Sequence, residues 1–203
     1  MATIPKEGDK CNLSVLPVFS KVFEKVAYTQ LYDYLENNSI LHKQQDEFRA
    51  KKSTTQTVLH FLQYLYRNID SGNTVFSLFL DFCKAFYCVN HEILLSKLNT
   101  CGVRGIALDW FCSYITNRAQ YVSINNVDSN PRVIQCGVPQ RFILSLLIFS
   151  IFINDITKCS NQFKYILQAD DSTLSTCVQG DNVMDSAELI NSEVKCLDPT
   201  NHI

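Results

Sequence analysis

The chain has 203 residues, of which 46% are hydrophobic and 19% charged, and its formal net charge is −2. This composition excludes a disordered segment and suits a folded domain that can bury a core. It also excludes a global basic field, so any binding of nucleic acid would depend on local patches of lysine and arginine.

The cysteines, histidines and apolar segments limit the classes of protein that remain. The nine cysteines form no C-x-x-C pair and the four histidines are scattered, which disfavours a zinc site and indicates reduced thiols. Residues 1–10 are polar and do not resemble a signal peptide. The most apolar run, residues 142–153, is too short to span a bilayer and predicts a buried core helix. We therefore expect an intracellular protein, nuclear or cytoplasmic, that is not secreted and has no membrane partner.

The first seventy residues predict an irregular segment and two amphipathic helices. Residues 1–16 show no regular pattern. Apolar residues at helical spacing predict a helix over residues 17–37, whose solvent side holds charged residues such as Glu24. The capping pattern Ser53-Thr54-Thr55-Gln56 begins a second helix over residues 54–71. The apolar stripe of the second helix is expected to face the core and consists of Val58, Leu59, Leu62, Leu65, Tyr66 and Ile69.

The rest of the chain alternates helices with strands. A continuous apolar run over residues 75–80 predicts a buried strand that ends in Asp81. Asn90 is expected to cap a helix that ends near Gly102. The further predicted elements are a helix over residues 107–115, a hairpin over 121–135, the apolar helix over 142–156, a hairpin over 163–174 and a final helix over 181–197. This mixture predicts an α+β fold with an antiparallel sheet.

Three carboxylates are the candidate functional residues. Asp170 and Asp171 lie at the tip of the predicted 163–174 hairpin, and Asp81 ends a strand far upstream. If those strands lie side by side, the three acidic groups converge, and carboxylate oxygens are the ligands that hard divalent cations prefer. Taken alone, Asp170 and Asp171 are also typical of an ordinary turn, and Asp81 of a turn cap.

Three motifs in a fixed order carry a family resemblance. They are Phe79-Leu80-Asp81-Phe82-Cys83-Lys84-Ala85-Phe86, then Gly137-Val138-Pro139-Gln140, then Ala169-Asp170-Asp171. Short sequence segments between the motifs, such as His91-Glu92-Ile93-Leu94-Leu95, fit the same family. On these residues the chain resembles, over nearly its whole length, the reverse transcriptase domain of non-LTR retrotransposons of the jockey or LINE-like kind.

The resemblance implies a right-hand polymerase architecture, with fingers over residues 1–72, palm over residues 73–203 and no thumb. It implies RNA-directed DNA synthesis by two-metal catalysis, with Mg²⁺ or Mn²⁺ held by Asp81, Asp170 and Asp171. The implied partners are an RNA template, a DNA primer and deoxynucleoside triphosphates. Supply of the missing thumb by another chain is left open.

The resemblance also assigns residues that contact the nucleotide and the nucleic acid. Phe86 falls at the position that packs on the sugar of the incoming nucleotide and excludes a 2′-hydroxyl, and Gln140 lies near the same nucleotide. Arg49 is expected to face the template or the triphosphate. The other residues expected to contact template or phosphates are Lys6, Lys51 and Lys52. From the residues alone, Phe86 is equally typical of the core, and the basic residues near Arg49 of a plain solvated patch.

Several residues depart from the family pattern near these motifs. Tyr87 stands where the family has an aspartate, and Gln168 stands where it has an aromatic residue. Arg141 and Phe142 replace a glycine and a serine, which adds bulk to a tight loop. We therefore expect a weak or lost activity. The alternative is a non-catalytic retrotransposon remnant that at most binds nucleic acid or a protein partner; another Mg²⁺-dependent palm enzyme, such as a nucleotide cyclase, is disfavoured by the loop motif.

Overall fold

The computed structural model describes residues 2–6, 9–15, 18–42, 45, 53–82, 84–124, 127–139, 143–158, 160–168, 171–179 and 191. For residues 2–6, 9–15, 18 and 179 the description is of the backbone alone. The helices are α1 (Val18–Asn37), α2 (Thr54–Asp70), α3 (His91–Thr100), α4 (Ile106–Ile115) and α5 (Ile143–Ile153). The strands are β1 (Ala2–Lys6), β2 (Asp9–Val15), β3 (Asn73–Asp81), β4 (Ala119–Ile124), β5 (Val127–Asp128), β6 (Arg132–Val133), β7 (Lys164–Gln168) and β8 (Asp171–Gln179).

The chain divides into two compact units. Unit 1 comprises residues 1–41 and 84–152, and unit 2 comprises residues 42–83 and 153–203. The division into these two units does not test the expected subdomains. The boundary expected between fingers and palm, after residue 72, therefore stays a prediction.

Unit 2 is built on a three-stranded antiparallel sheet with the strand order β3-β8-β7. Strand β3 pairs with β8 along its whole length, from Asn73 opposite Gln179 to Asp81 opposite Asp171. Strand β7 pairs with the other edge of β8, with Gln168 opposite Asp171. The apolar run that ends in Asp81 and the downstream hairpin thus lie side by side in one sheet.

Helix α2 covers one face of this sheet through aromatic side chains. Phe61 meets Phe79 of β3 edge to face, with the ring centroids 6.2 Å apart. The ammonium nitrogen of Lys164 on β7 lies 4.4 Å from the centroid of the Tyr64 ring. Because side chains alternate along strands, the register places Phe79, Lys164 and Asp81 on the same face. Helix α2 therefore lies over the face that carries Asp81.

Two expectations about burial in unit 2 are wrong. The α2 stripe expected in the core is largely exposed, for example Val58 at 52% and Tyr66 at 64%. The reason is that α2 turns the neighbouring face, with Phe61 and Tyr64, toward the sheet. Strand β3 is half-buried instead of buried, and Phe79 is 69% exposed. The predicted cap of α2 is confirmed, since the Ser53 hydroxyl accepts the Gln56 N–H at 3.2 Å.

Unit 1 contains a five-stranded sheet with the order β2-β1-β4-β5, in which β6 also pairs with β4. The prediction that residues 1–16 are irregular is wrong, because β1 and β2 form an antiparallel hairpin with Ala2 opposite Val15. Pro5 does not prevent this pairing because it lies beside the register shift between Pro5 and Lys6, where a missing N–H is tolerated.

The core of unit 1 is formed by α5 and the helices around it. As predicted, α5 is a buried apolar helix, in which Leu144, Leu147 and Ile148 are almost fully buried. Helix α3 starts at the predicted cap, where Asn90 Oδ1 accepts the N–H groups of Glu92 and Ile93 at 2.9 and 3.1 Å. None of the helices in the described ranges combines the length and apolarity needed to cross a membrane.

The charged face of α1 differs from the expectation. Glu24, expected on the solvent side, is 5% exposed, because the Tyr114 hydroxyl donates a hydrogen bond of 2.5 Å to its carboxylate. Burial raises the pKa of Glu24, while the hydrogen bond from Tyr114 and the nearby charges of Arg118 and Lys21 oppose that rise. The final helix expected over residues 181–197 lies outside the described residues, except for residue 191.

Candidate active site

Asp81 and Asp171 form the centre of the candidate site. Asp81 is the last residue of β3 and Asp171 the first of β8, and the two are direct cross-strand partners. Residues directly opposite each other in antiparallel strands have Cβ atoms about 4.5–5.5 Å apart. Both side chains are exposed. The structure thus brings together two of the three carboxylates that the motifs single out.

A cleft of about 330 Å³ opens over the two carboxylates. Its walls come from the first two turns of α2 and from all three strands of the sheet. The lining residues are Thr57, Val58, Phe61, Phe79, Leu80, Asp81, Ile166, Gln168, Asp171, Ser172 and Thr173. The motif analysis missed the contribution of α2. The capping pattern at Ser53 could have indicated it, because the cap fixes where the first turns of that helix lie.

Gln168 extends the row of polar side chains across the sheet. It lies opposite Asp171 on β7, so Gln168, Asp171 and Asp81 occupy neighbouring positions on one face of three adjacent strands. Its side chain is half-buried and lines the cleft. The departure from the family pattern at this position therefore places an amide, in place of an aromatic ring, next to the carboxylates.

The donor chemistry of the Asp81–Asp171 pair fits a hard divalent cation. Two carboxylates offer oxygen ligands, and their exposure leaves room for water and for substrate oxygens in an octahedral shell. Among the described residues, no group of three or more His, Cys, Asp or Glu side chains forms a complete set of ligands. The third predicted ligand, Asp170, lies outside the described residues.

Phe86 belongs to unit 1, where it follows a left-handed residue, Lys84, in a short 3₁₀ turn. Its ring is half-buried and packs on Phe149 of α5, with the centroids 4.6 Å apart and the planes tilted by 37°. This contact is compatible both with a role in the core and with a ring held for nucleotide binding, so the assigned role stays a prediction.

The other predicted site residues are not described in enough detail to test their roles. Lys6 lies in β1, for which the backbone alone is described. Those outside the described residues are Arg49, Lys51, Lys52 and Gln140, and so are the two bulky replacements, Arg141 and Phe142.

The backbone at position 137, the first residue of the loop motif, requires glycine. Its φ is +90°, a left-handed conformation that residues with a Cβ atom rarely adopt. A Cβ atom there would also lie 2.8 Å from the Tyr87 carbonyl oxygen and 2.9 Å from that of Phe86. The loop backbone is thus in direct contact with the turn that carries Phe86.

Comparison with known proteins identifies relatives of this chain. A family model described as reverse transcriptase (RNA-dependent DNA polymerase) matches residues 4–194. The probable RNA-directed DNA polymerase from transposon BS of Drosophila melanogaster is 30% identical over 154 residues, which are 74% of this chain and 16% of that protein. The RNA-directed DNA polymerase from mobile element jockey of the same species is 25% identical over 143 residues, or 70% of this chain and 16% of that protein.

Solved structures show the same fold. A telomerase from Candida tropicalis, in complex with a fragment of telomeric RNA, superposes with a TM-score of 0.58 over 88% of this chain and 33% of that chain, at 11% identity. A telomerase from Candida albicans gives a TM-score of 0.53 over 86% of this chain and 32% of that chain, at 16% identity. These matches confirm the predicted α+β polymerase fold.

The sequence and fold comparisons agree, and the family match extends over almost the entire chain. The chain spans about one sixth of the length of the curated relatives, each of which is matched over 16% of its length. The chain belongs to the reverse transcriptase (RNA-dependent DNA polymerase) family.

Proposed function

We propose that this domain carries out RNA-templated DNA synthesis at a low rate, with divalent cations held by Asp81, Asp171 and Asp170. The observation that supports the proposal best is the direct opposition of Asp81 and Asp171 at one end of the palm-like sheet. Two carboxylates from strands far apart in the sequence, exposed at the floor of a cleft, match what nucleotidyl transfer requires.

The contribution of the protein is mainly positioning and charge compensation. Asp81 and Asp171 project from paired strands, so the separation of their Cα atoms is set by backbone hydrogen bonds instead of by flexible loops. When bound, Mg²⁺ or Mn²⁺ would make the primer 3′-hydroxyl more acidic and neutralise charge on the triphosphate and the leaving pyrophosphate. Phe79 and Ile166 add apolar side chains to the lining of the cleft on the same face.

The proposed partners are an RNA template, a DNA primer and deoxynucleoside triphosphates. Support comes from the relatives, which are named RNA-directed DNA polymerases, and from a telomerase neighbour that was solved with an RNA fragment. We propose that Phe86 and Gln140 contact the incoming nucleotide and that Arg49 contacts its phosphates. The lysines proposed to contact nucleic acid are Lys6, Lys51 and Lys52.

The proposed low rate follows from residues that replace family residues in or beside the sequence motifs. Gln168 puts an amide beside Asp171, in the row that leads to Asp81. Tyr87 removes a carboxylate from the turn after Phe86. Each lost interaction of about 1.4 kcal/mol in the transition state lowers the rate tenfold. A few such changes reduce the activity greatly without unfolding the domain.

Primer extension on an RNA template tests the proposal. We expect Asp81→Asn to reduce extension by more than about a hundredfold, because loss of a direct ligand exceeds the 10–100-fold cost of losing an outer-shell partner. Asp70→Asn, an exposed carboxylate at the end of α2, is the control for removing one charge. We expect the triple variant Tyr87→Asp, Arg141→Gly, Phe142→Ser to raise the rate. Extension that persists in Asp81→Asn, or none in either the natural chain or the triple variant, would favour the non-catalytic remnant.

A further inference from the structure

In unit 1, the segment after the Phe86 turn is hydrogen-bonded to the loop motif. The Val138 N–H donates to the Phe86 carbonyl at 2.8 Å, and the Gly137 N–H donates to the Val89 carbonyl at 2.7 Å. Next to the second of these contacts, Asn90 and Cys136 form an isolated antiparallel bridge. We call this set of contacts between residues 86–91 and 136–138 the turn–loop junction.

His91 adds a side-chain contact to the turn–loop junction. It is the first residue of α3 and is 7% exposed, and its Nε2 lies 2.8 Å from the Gly137 carbonyl oxygen. A carbonyl oxygen only accepts hydrogen bonds, so in this contact Nε2 carries the proton and donates it. The tautomer of the buried ring is therefore set by the loop backbone.

His91 and Phe86 hold the two ends of a single peptide group. The Gly137 carbonyl, which accepts from His91, and the Val138 N–H, which donates to the Phe86 carbonyl, belong to the same planar unit. Fixing the carbonyl end fixes the orientation of the N–H end. The side chain of His91 thus determines where the Phe86 backbone is held.

The turn–loop junction leaves little room for adjustment. A Cβ atom on Gly137 would lie within 2.9 Å of the backbones of Phe86 and Tyr87. The two backbone segments are therefore in contact without a side chain between them. On its other side, the Phe86 ring rests on Phe149. A rotation of the Gly137–Val138 peptide group would therefore displace the Phe86 turn.

We propose that His91 is a positioning residue that, by holding the Gly137–Val138 peptide group, places the Phe86 ring for selection between deoxyribonucleotides and ribonucleotides. The selection part of this inference rests on the proposed function, in which Phe86 contacts the sugar of the nucleotide. The positioning part rests on contacts within unit 1 alone.

Two variants separate the hydrogen bond from the bulk of the ring. His91→Phe keeps a ring and removes the donor, whereas His91→Gln keeps an N–H donor at a similar reach. We expect His91→Phe to lower the ratio of kcat/KM for a deoxyribonucleotide over the matching ribonucleotide by about fivefold, since one hydrogen bond is worth ~1 kcal/mol. The change should lie in KM, and kcat should change by less than about twofold. We expect His91→Gln to restore most of the ratio.

Amide hydrogen exchange tests the positioning part without activity. We expect the Gly137 and Val138 amides to exchange about tenfold faster in His91→Phe and close to the natural rate in His91→Gln, since exchange reports local opening of single hydrogen bonds. The amides of β3 and β8 serve as an internal control and should not change. If His91→Phe does not fold, His91→Asn replaces it, because its shorter side chain does not reach the Gly137 carbonyl.

The exchange measurement and the selection ratio can contradict the proposal separately. Unchanged exchange at Gly137 and Val138 in His91→Phe, or no recovery in His91→Gln, overturns the positioning role of His91. Faster exchange with an unchanged selection ratio overturns its effect on nucleotide choice. Absence of Asp81-dependent extension in both the natural chain and the triple variant counts against the proposed function and against selection by Phe86. The exchange result then decides the positioning role by itself.

Discussion

Asp81 and Asp171 face each other directly across the β3–β8 pair, with both carboxylates exposed on the face under α2. Like charges directly opposite each other destabilise an antiparallel pair of strands. The sheet therefore carries an unfavourable interaction at the point where the family motifs lie. The proposed divalent cation, bound between the two carboxylates, would remove that repulsion.

The first prediction is that Mg²⁺ stabilises the domain and that Asp171→Asn removes this effect. Without the cation, Asp171→Asn should raise the free energy of unfolding by about 0.2–1 kcal/mol, the usual size of a cross-strand pair interaction. With the cation at a hundredfold excess over its Kd, the natural chain should gain ~2.7 kcal/mol, because binding to the native state alone shifts the equilibrium. Thermal unfolding in EDTA and in Mg²⁺ measures both effects.

Asp70→Asn is the matched control for this first prediction. Asp70 is an exposed carboxylate in the same unit, at the end of α2. Its variant should keep the full stabilisation by Mg²⁺. An equal stabilisation of Asp171→Asn and Asp70→Asn would mean that the cation binds elsewhere.

The second prediction compares two glycines that share a left-handed backbone. Gly137 has a φ of +90° and Gly72 a φ of +75°, but a Cβ atom would meet the Tyr87 and Phe86 backbones at Gly137 and nothing within 4 Å at Gly72. Gly72→Ala should therefore cost only the ~1–2 kcal/mol of a left-handed alanine. Gly137→Ala should cost more by about 1–3 kcal/mol, the range found for overpacking.

Urea unfolding of the two alanine variants measures this difference in stability. Equal losses at Gly137 and Gly72 would show that the loop backbone is not in tight contact with the Phe86 turn. Because Gly72 ends α2 in unit 2 and Gly137 lies in unit 1, the m-values should also be compared to establish that both variants unfold in the same cooperative transition.

Hydrophobic periodicity predicted the type and the approximate bounds of most elements, because the local spacing of apolar residues differs between helices and strands. The helices over residues 17–37 and 54–71 and the buried helix α5 were accessible in this way. The opposition of Asp81 and Asp171 was accessible too, but only through the order of the three motifs. Periodicity has no information on which distant strands pair.

The side of each helix that is buried could not be predicted. Glu24 is a charged residue of the kind usually found at the surface, but it is buried. Its partner Tyr114 comes from another helix far along the chain. On α2, five of the six residues of the apolar stripe are exposed, while Phe61 and Tyr64 face the sheet. Both outcomes depend on tertiary partners, and a periodic pattern identifies a face without identifying what covers it. The His91 contact with Gly137 was missed for the same reason.

The third prediction concerns the hydrogen bond between Tyr114 and Glu24. Tyr114→Phe removes the hydroxyl that donates to the Glu24 carboxylate, so a buried acceptor loses a donor. The free energy of unfolding at neutral pH should fall by about 1–3 kcal/mol. Tyr66→Phe, at a hydroxyl on the exposed side of α2, is the control and should change stability little. An equal effect of the two substitutions in urea unfolding would contradict the contribution of the buried bond.

The fourth prediction is the pH dependence that follows from the burial of Glu24. Burial raises the pKa of this carboxyl above its ordinary value, against the smaller opposing effects of Tyr114, Arg118 and Lys21. The folded state therefore holds the proton more tightly than the unfolded state. The resulting contribution to stability is fully present below the unfolded pKa and is lost as the pH rises through the folded pKa.

Glu24→Gln, which cannot titrate, makes this contribution measurable. The difference in the free energy of unfolding between the natural chain and Glu24→Gln should become less favourable to the natural chain as the pH rises from below the ordinary carboxyl pKa to above the raised one. Asp33→Asn, an exposed carboxylate on the same helix, is the control for removing one charge. Urea unfolding across this pH range gives the two differences. The prediction is contradicted if the difference for Glu24→Gln stays constant or grows in favour of the natural chain with rising pH. In that case, Tyr114 and Arg118 would fully compensate the cost of burying the Glu24 carboxylate.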